Sequence, residues 1–100
     1  MAKYLITYHG ASLPNDPAVL EKAKAAFATW LAEAGNAVVD PGAPTHMVDQ
    51  VSNTGSANAV EIGGYSIIEA SSKEEALGIL RSHPFVARGG TLQLNELVAP

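Results

Sequence analysis

Two helical segments, each lying between strand-like segments, constrain the fold of this chain more than any other feature. The first begins after Asp16 and Pro17, which supply an N-cap and a proline at the first helical position. Apolar residues then recur at steps of three and four as far as Gly35, a typical C-terminal stop. This spacing predicts an amphipathic helix of four to five turns over about 17–34.

The second helical segment is SSKEEALGILRSH. Ser72 and Glu75 form a capping box at its start. Pro84 closes it, because the residue before a proline is pushed out of the helical region. We therefore expect a second, shorter helix that ends near His83.

The strand-like segments surround these helices in a fixed order. They are KYLITYH (3–9), the short NAVVDPGAPTH, GGYSIIEA (63–70) and TLQLNELV (91–98). The prolines of the second segment restrict it to an edge or a bulged strand, and the polar run MVDQVSNTGSANAV after it is a hairpin tip or a loop. The order βαββαβ predicts an α+β, ferredoxin-like fold, with a four-stranded antiparallel sheet and two helices on one face.

Apolar side chains lie on both faces of the predicted strands. In the first strand Tyr4, Ile6 and Tyr8 alternate with Leu5 and Thr7. Because two helices cover one face, we expect a second copy to cover the other, giving a homodimer with a barrel-like interior. Polar side chains of the strands would line that cleft; they are Thr7, His9, Ser66, Glu69, Gln93 and Asn95.

Composition excludes several function classes. One hundred residues with 47% hydrophobic content fit a single domain over 1–100. A net charge of -4 with scattered lysines and arginines argues against nucleic acid as a partner. The absence of cysteine excludes disulfides and thiolate chemistry, and the opening apolar run is too short for a signal peptide or a membrane span. We expect a cytoplasmic protein without a membrane partner.

His83 is the first catalytic candidate. It follows the buried face of the second helix, so its ring can face a cleft beside Arg88 and exchange protons near neutral pH. The alternative is a histidine that caps the helix C-terminus and interacts with its dipole.

His9 is the second catalytic candidate, because it ends the first strand beside Gly10 at the border of a cleft. The alternative is a solvated turn residue. His46 and Asp49 would suit a metal only if their segment were helical, which Pro44 opposes, so we expect no metal site.

Arg88 and Gly89 are candidates for ligand binding, since ARGG can form a turn that binds an anion, or can simply precede a strand. Tyr8 and Tyr65 are candidates for ligand contact, or core and interface aromatics. Phosphate-loop, nucleophile-elbow and metal-helix signatures are missing from the sequence, so we expect no cofactor.

Three segments carry a family resemblance: KYLITYHG, GGYSIIEASSKEEALGIL and HPFVARGGTLQLNELV. Together they resemble the YCII-related family of small bacterial proteins, which includes the DGPF-domain proteins. The resemblance implies a ferredoxin-like fold that dimerises into an α+β barrel. Family function is mostly unassigned; some members resemble muconolactone-isomerase-like enzymes, a few act on chlorinated aromatic ring compounds, and a His and Asp pair has been proposed as their site.

The chain departs from that family at its named positions. The Asp-Gly-Pro-Phe motif is absent, and VSNTGSANAVEIGGY stands in the middle loop. His83 occupies the position of the family aspartate, and the family histidine falls near Lys24. The resemblance therefore implies no activity through that pair.

Two function classes remain open. One is a cofactor-free enzyme that isomerises or eliminates in the dimer cleft, with His9 or His83 as base and Arg88 or Tyr8 orienting an anionic group, on a small organic ligand such as an aromatic acid or lactone. The other is a non-catalytic dimeric module that binds a ligand or partner in the same cleft. Fold alone does not choose between them.

Overall fold

The structure, a computed structural model, describes residues 1–11, 14–55 and 57–100. Its elements are β1 (Ala2–His9), α1 (Pro17–Ala34) with a short 3-10 turn (Gly35–Ala37), β2 (Val38–Pro44), β3 (Gly64–Ala70), α2 (Lys73–Arg81), α3 (Pro84–Ala87) and β4 (Thr91–Glu96). The predicted break GASLPND and the predicted polar loop include Ser12, Leu13 and Ser56, which lie outside the described residues. In the described ranges, no helix has the length and apolar character needed to cross a bilayer.

The four strands form one antiparallel sheet in the order β2-β3-β1-β4. With α1 and α2 between the strands, this is the predicted ferredoxin-like α+β fold. The structure adds two short elements: the 3-10 turn after α1, and α3, a single turn that follows α2. The fold class predicted from the order of elements is therefore confirmed.

Local capping signals set both ends of α1, as predicted. The Asp16 carboxylate accepts from the Ala18 N–H at 2.8 Å, and Pro17 occupies the first turn. At the other end Gly35 adopts a φ of 57° and its N–H donates to the Leu31 carbonyl. The helix stops there because a positive φ suits glycine and breaks the helical repeat.

The start of α2 differs in one bond from the predicted capping box. Ser72 Oγ accepts from the Glu75 N–H at 3.1 Å, as expected. The Glu75 carboxylate reaches back one residue further, to the N–H and hydroxyl of Ser71 at 3.2 and 2.8 Å. The bond from the Ser71 hydroxyl, and to a smaller extent the bond from the Ser71 N–H, lower the pKa of Glu75. The acid therefore still satisfies a free N–H group at the helix start.

Both long helices pack on one face of the sheet and form the core there. The buried hydrophobic residues of this core are Tyr4, Ile6, Ile68 and Ala70 in the sheet, and Trp30, Ala76 and Leu80 in the helices. The Trp30 indole N–H donates to the Ile79 carbonyl at 3.0 Å, which links α1 to α2. Burial of these side chains is the main driving force for this arrangement.

The opposite face of the sheet carries no helix in the described part of the chain. Strand pairing places Leu5 beside Ile67, and Thr7 between Tyr65 and Gln93, on this helix-free face. Ser66 is an exception to the prediction: it pairs with Ile6 and is fully buried on the helix side. The error arose because Ser66 was assigned by its polarity, whereas the alternation of the strand places it with Ile68.

Strand β2 lies at an edge, as its prolines predicted, and it is bulged. Its register against β3 shifts around Asp40 and again before Ala43. Gly42 has a φ of 74°, and a Cβ there would lie 1.7 Å from the Tyr65 carbonyl oxygen. The bulge therefore requires glycine at this position, and it turns the Pro41 carbonyl toward Ser66.

Candidate functional site

A cavity of about 880 Å³ opens on the helix side of the sheet, within one chain. It lies between α1, the bulge of β2, the ends of β1 and β3, and the turn around α3. Its aromatic and charged side chains are Tyr8, Tyr65, Phe27, His83, Phe85, Lys24, Glu61 and Arg88. A cavity of this volume falls within the range that is typical of sites for small organic molecules.

His83 lies at the inner wall of this cavity as the N-cap of α3. Pro84 holds it in extended conformation, and its Nδ1 accepts from the Phe85 N–H at 3.0 Å. Helix α2 ends two residues earlier, at Arg81. The side chain therefore caps the start of α3, where the sequence suggested a cap at the end of the preceding helix.

A chain of hydrogen bonds leads from His83 across the sheet. Nε2 of His83 lies 2.9 Å from the Tyr8 hydroxyl, which lies 2.7 Å from Ser66 Oγ. Ser66 in turn donates to the Pro41 carbonyl at 2.8 Å. The two ends of this chain are backbone groups, the Phe85 N–H and the Pro41 carbonyl.

These backbone ends permit a single arrangement of the hydrogen atoms. The Pro41 carbonyl only accepts, so Ser66 donates to it and must accept from Tyr8. Tyr8 then accepts from the Nε2–H of His83. This leaves Nδ1 of His83 without hydrogen, as its bond from the Phe85 N–H requires. The chain therefore holds a neutral histidine that donates to a neutral tyrosine.

The surroundings favour these neutral forms. The His83 side chain is 3% exposed, and its ring centroid lies 4.3 Å from that of Trp30 and 5.6 Å from that of Phe27. Burial, and then the nearby Arg88 charge, lower the pKa of His83 to about 4. Burial raises the pKa of Tyr8, against the smaller opposing effect of the Ser66 bond.

Charged groups lie at the rim. Arg88 covers the Phe85 ring at 5.2 Å, and it contributes no ion pair within the described residues. Within the described part of the chain, the one ion pair of Lys24 is a long, exposed contact of 4.0 Å with Glu21. Glu61 is the acidic residue of the lining. The cationic side chains of the rim therefore outnumber its carboxylate.

His9 and Tyr65, two other candidate residues, are not part of the hydrogen-bond chain from His83 to Pro41. Nε2 of His9 bonds to the Thr7 hydroxyl at 2.8 Å, and both residues alternate onto the helix-free face. Tyr65 borders the cavity, but its hydroxyl donates to Asp40 at 3.3 Å. The carboxylate charge of Asp40, and then this bond, raise the pKa of Tyr65. His9 and His83 are thus on opposite sides of the sheet.

Gly89 and Gly90, which follow Arg88, form a turn that packs closely against the Phe85 ring. Gly89 has a φ of 91°, and the N–H groups of Gly89 and Gly90 donate to the carbonyls of Val86 and Phe85. A Cβ on Gly90 would lie 2.2 Å from the Phe85 ring. Both N–H groups are therefore engaged, and Arg88 is the member of the predicted anion turn that borders the cavity.

His46 and Asp49 lie in exposed chain after β2. In the ranges that the structure describes, no group of three or more histidine and acidic residues is placed to hold a metal ion.

The site includes residues that the sequence did not indicate there, among them Pro41, Lys24 and Ser66, the last of which was expected on the other face of the sheet. Alternation in β3 was the signal available for Ser66, since it shares a face with Ile68. The spacing of α1 was the signal for Lys24, which lies one turn from Leu20 and three residues before Phe27. No local signal indicates that the Pro41 carbonyl meets Ser66.

Comparison with known proteins shows a similarity of fold. No family model and no curated protein matches the chain. A solved structure, 5-chloro-2-hydroxyhydroquinone dehydrochlorinase (TftG) from Burkholderia phenoliruptrix AC1100 in complex with 2,5-dihydroxybenzoquinone, aligns with a TM-score of 0.57. The alignment covers 91% of this chain and 90% of that chain at 20% identity. The chain therefore shares the α+β fold of this dehydrochlorinase.

Proposed function

We propose that the protein binds a small organic acid, aromatic or lactone-like, in the cavity beside Tyr8 and His83. The observation that carries the proposal is the hydrogen-bond chain from Phe85 to Pro41 at the wall of a cavity of about 880 Å³. A buried polar network in which every member is bonded holds its side chains in one geometry. Such a wall is suited to orient a ligand without a cofactor.

The character of the lining supports an aromatic anion. Phe27 and Phe85 provide ring surfaces, and Lys24 and Arg88 provide positive charge at the rim. Apolar walls with a few placed polar groups are typical of small-molecule sites. We therefore assign the ring to the aromatic walls and the acid group to the two cations.

The shared fold is a second line of support. TftG is a dehydrochlorinase whose structure contains a quinone, a small ring compound. We propose on this basis, and on the resemblance of the three sequence segments, that the chain is a YCII-related protein. The ligand-binding proposal itself depends on the cavity and not on that relationship.

A cavity-blocking variant tests the binding proposal. Ala23 lines the cavity on α1, whereas Ala25 is exposed on the same helix. A calorimetric screen of aromatic acids and lactones should yield a ligand whose affinity falls at least tenfold in Ala23→Phe and is unchanged in Ala25→Phe. A failure of all compounds to bind, or equal binding by both variants, would contradict the proposal.

The second candidate function is cofactor-free proton transfer, of isomerase or lyase type. The neutral His83 beside the Tyr8 hydroxyl favours it, because such pairs can exchange protons with a ligand. In the arrangement found here His83 is a donor. Nε2 of His83 can act as a base only if the ring hydrogen is on Nδ1. The Nδ1–H would then face the Phe85 N–H, and the hydrogen bond between these two groups would be lost. This requirement makes binding the first proposal and chemistry the second.

Solvent-deuterium exchange tests the chemistry directly. In heavy water, a proton-transfer enzyme should introduce deuterium at an acidic C–H of a bound lactone or keto acid, which proton NMR detects. Tyr8→Phe should slow the exchange by about a hundredfold or more, the usual contribution of a general acid or base. Exchange at the uncatalysed rate with every bound ligand would leave binding without chemistry.

A homodimer through the helix-free face is the proposal for the partner. Leu5, Tyr65 and Ile67 lie half-buried on that face, and the described chain places no helix over it. A second copy would cover these side chains and would enclose His9 in a cleft between protomers.

A further inference from the structure

The neutral side-chain hydrogen-bond donors of the described residues that line the cavity are all engaged. Each hydroxyl or imidazole hydrogen of a residue that lines the cavity has an acceptor within the protein: Tyr8 donates to Ser66, His83 to Tyr8, Thr45 to the Ile62 carbonyl at 2.6 Å, and Tyr65 to Asp40. The arrangement follows from the backbone groups at the ends of the chain. A ligand that enters therefore finds no uncharged side-chain donor among these residues.

The cavity lining therefore presents two kinds of hydrogen-bonding group to a ligand, one at the rim and one at the inner wall. The free side-chain donors are the cations Lys24 and Arg88 at the rim. At the inner wall, the Tyr8 oxygen has donated one hydrogen and accepted one, and it retains a lone pair. The inner wall thus accepts hydrogen bonds, while the rim donates them and carries positive charge.

We infer that the cavity selects aromatic acids that carry a ring hydroxyl, with the hydroxyl donating to the Tyr8 oxygen and the acid group facing Lys24 and Arg88. This inference rests on the proposed function and narrows its ligand class. A hydroxyl supplies the hydrogen that the inner wall lacks. An ether or carbonyl oxygen at the same place would face an acceptor and lose the hydrogen bond.

Ser66 and Pro41 take part as positioning residues. Ser66 accepts a hydrogen bond from the Tyr8 hydroxyl and donates its own hydrogen to the Pro41 carbonyl. Because its hydrogen is engaged in this way, Tyr8 does not donate to a ligand. The Asp40–Gly42 bulge maintains this polarity, because it brings the Pro41 carbonyl within reach of Ser66. The preference for a donor is therefore built into β2 and β3 as well as into Tyr8.

Matched benzoates test the inference by calorimetry. The probes are benzoate, 4-hydroxybenzoate and 4-methoxybenzoate, which share the acid and differ at the far end of the ring. We expect 4-hydroxybenzoate to bind the wild-type protein about fivefold to tenfold more tightly than 4-methoxybenzoate, the ratio for one neutral hydrogen bond. Arg88→Gln should weaken all three by a similar factor of about three to five, as for an exposed charge.

The substitution Tyr8→Phe should bring the ratio of the two substituted benzoates close to one while benzoate still binds. Tyr4→Phe is the control, since Tyr4 lies on the same strand and face but outside the cavity lining; its ratio should equal that of the wild type. The wild-type ratio decides the matter even if a variant folds poorly.

Two results would overturn the inference in distinguishable ways. Equal affinities of the wild type for the three benzoates would contradict the hydroxyl preference and leave the proposed function standing. Absence of binding by all three, together with no hit among other aromatic acids and lactones, would contradict the proposed function, and the preference would fall with it.

Discussion

The Tyr8 hydroxyl accepts a hydrogen bond of 2.9 Å from Nε2 of His83, which joins the end of β1 to the turn between α2 and α3. The outer hydrogen-bond partners of the two residues fix the direction of this bond. His83 carries its hydrogen on Nε2 because Nδ1 accepts from Phe85, and Tyr8 accepts because its own hydrogen is committed to Ser66. A bond between two distant segments thus determines the chemistry of the cavity wall.

The lowered pKa of His83 predicts a pH-dependent stability. The folded protein binds the His83 proton only near pH 4, whereas the unfolded chain binds it near 6.5. Between these values the unfolded state holds more protons, so this contribution is complete above about pH 6.5 and is lost as the pH falls to 4. The loss is about 3 kcal/mol in the free energy of unfolding.

Urea unfolding of the wild type and His83→Asn across this range checks the prediction. Asparagine can still cap Phe85 but does not titrate. The difference between their unfolding free energies should shrink by about 3 kcal/mol from pH 7 to pH 4. Parallel pH profiles would show that His83 is not the responsible group.

Ser66→Ala removes the middle of the hydrogen-bond chain. It leaves the Tyr8 hydroxyl and the Pro41 carbonyl without their partner inside the protein, and Ser66 is fully buried. We expect a loss of about 1–3 kcal/mol in unfolding free energy, the cost of buried polar groups without bonds. Thr29→Ala, which removes an exposed hydroxyl from α1, should cost less than about 0.5 kcal/mol. Similar losses of unfolding free energy in both variants would contradict the role assigned to the hydrogen-bond chain from His83 to Pro41.

Gly90→Ala tests the contact beneath Phe85. The added methyl group would lie 2.2 Å from the ring, so Phe85 or the turn must move. Overpacking of this kind costs about 1–3 kcal/mol. Gly78→Ala is the opposite case: it lies in α2 with open space around it, and we expect a gain of about 0.5–1 kcal/mol from helix propensity. Thermal unfolding of the two variants should shift in opposite directions.

The proposed homodimer predicts a particular sensitivity of the helix-free face. Sedimentation velocity at micromolar concentration should give a dimer for the wild type. Ile67→Arg places a charge on that face beside Leu5 and should give a monomer. Val19→Arg changes an exposed residue of α1 and should leave the dimer intact. A monomeric wild type would contradict the proposal.

Local patterns were enough to predict the four strands, the two longer helices and their order. Asp16 with Pro17, and Ser72 with Glu75, satisfy the free N–H groups of the helix starts within a few residues, so their signal is contained in short segments. The proline-limited edge strand followed in the same way. These features depend on neighbours in the chain.

The candidate site was predicted in part for the same reason. The sequence indicated Tyr8, His83 and Arg88 as candidates, and all three border one cavity. Alternation correctly grouped His9 with Thr7 on the helix-free face, but Ser66 was wrongly placed there by its polarity, although it alternates in phase with Ile68. The cleft expected between protomers stays a prediction, whereas the cavity of about 880 Å³ lies within one chain, where α1, the bulge of β2 and the turn around α3 come together.

By itself, therefore, the sequence determined the βαββαβ order, both ends of α1, the start of α2 and the position of His83 before a proline. The tertiary structure alone decided the protonation of His83 and the direction of every hydrogen in the chain to Pro41. The physical reason is that a hydrogen atom's position depends on both partners of a bond. Here the partners lie in β1, β2, β3 and α3, and the fold brings them within 3.0 Å of one another.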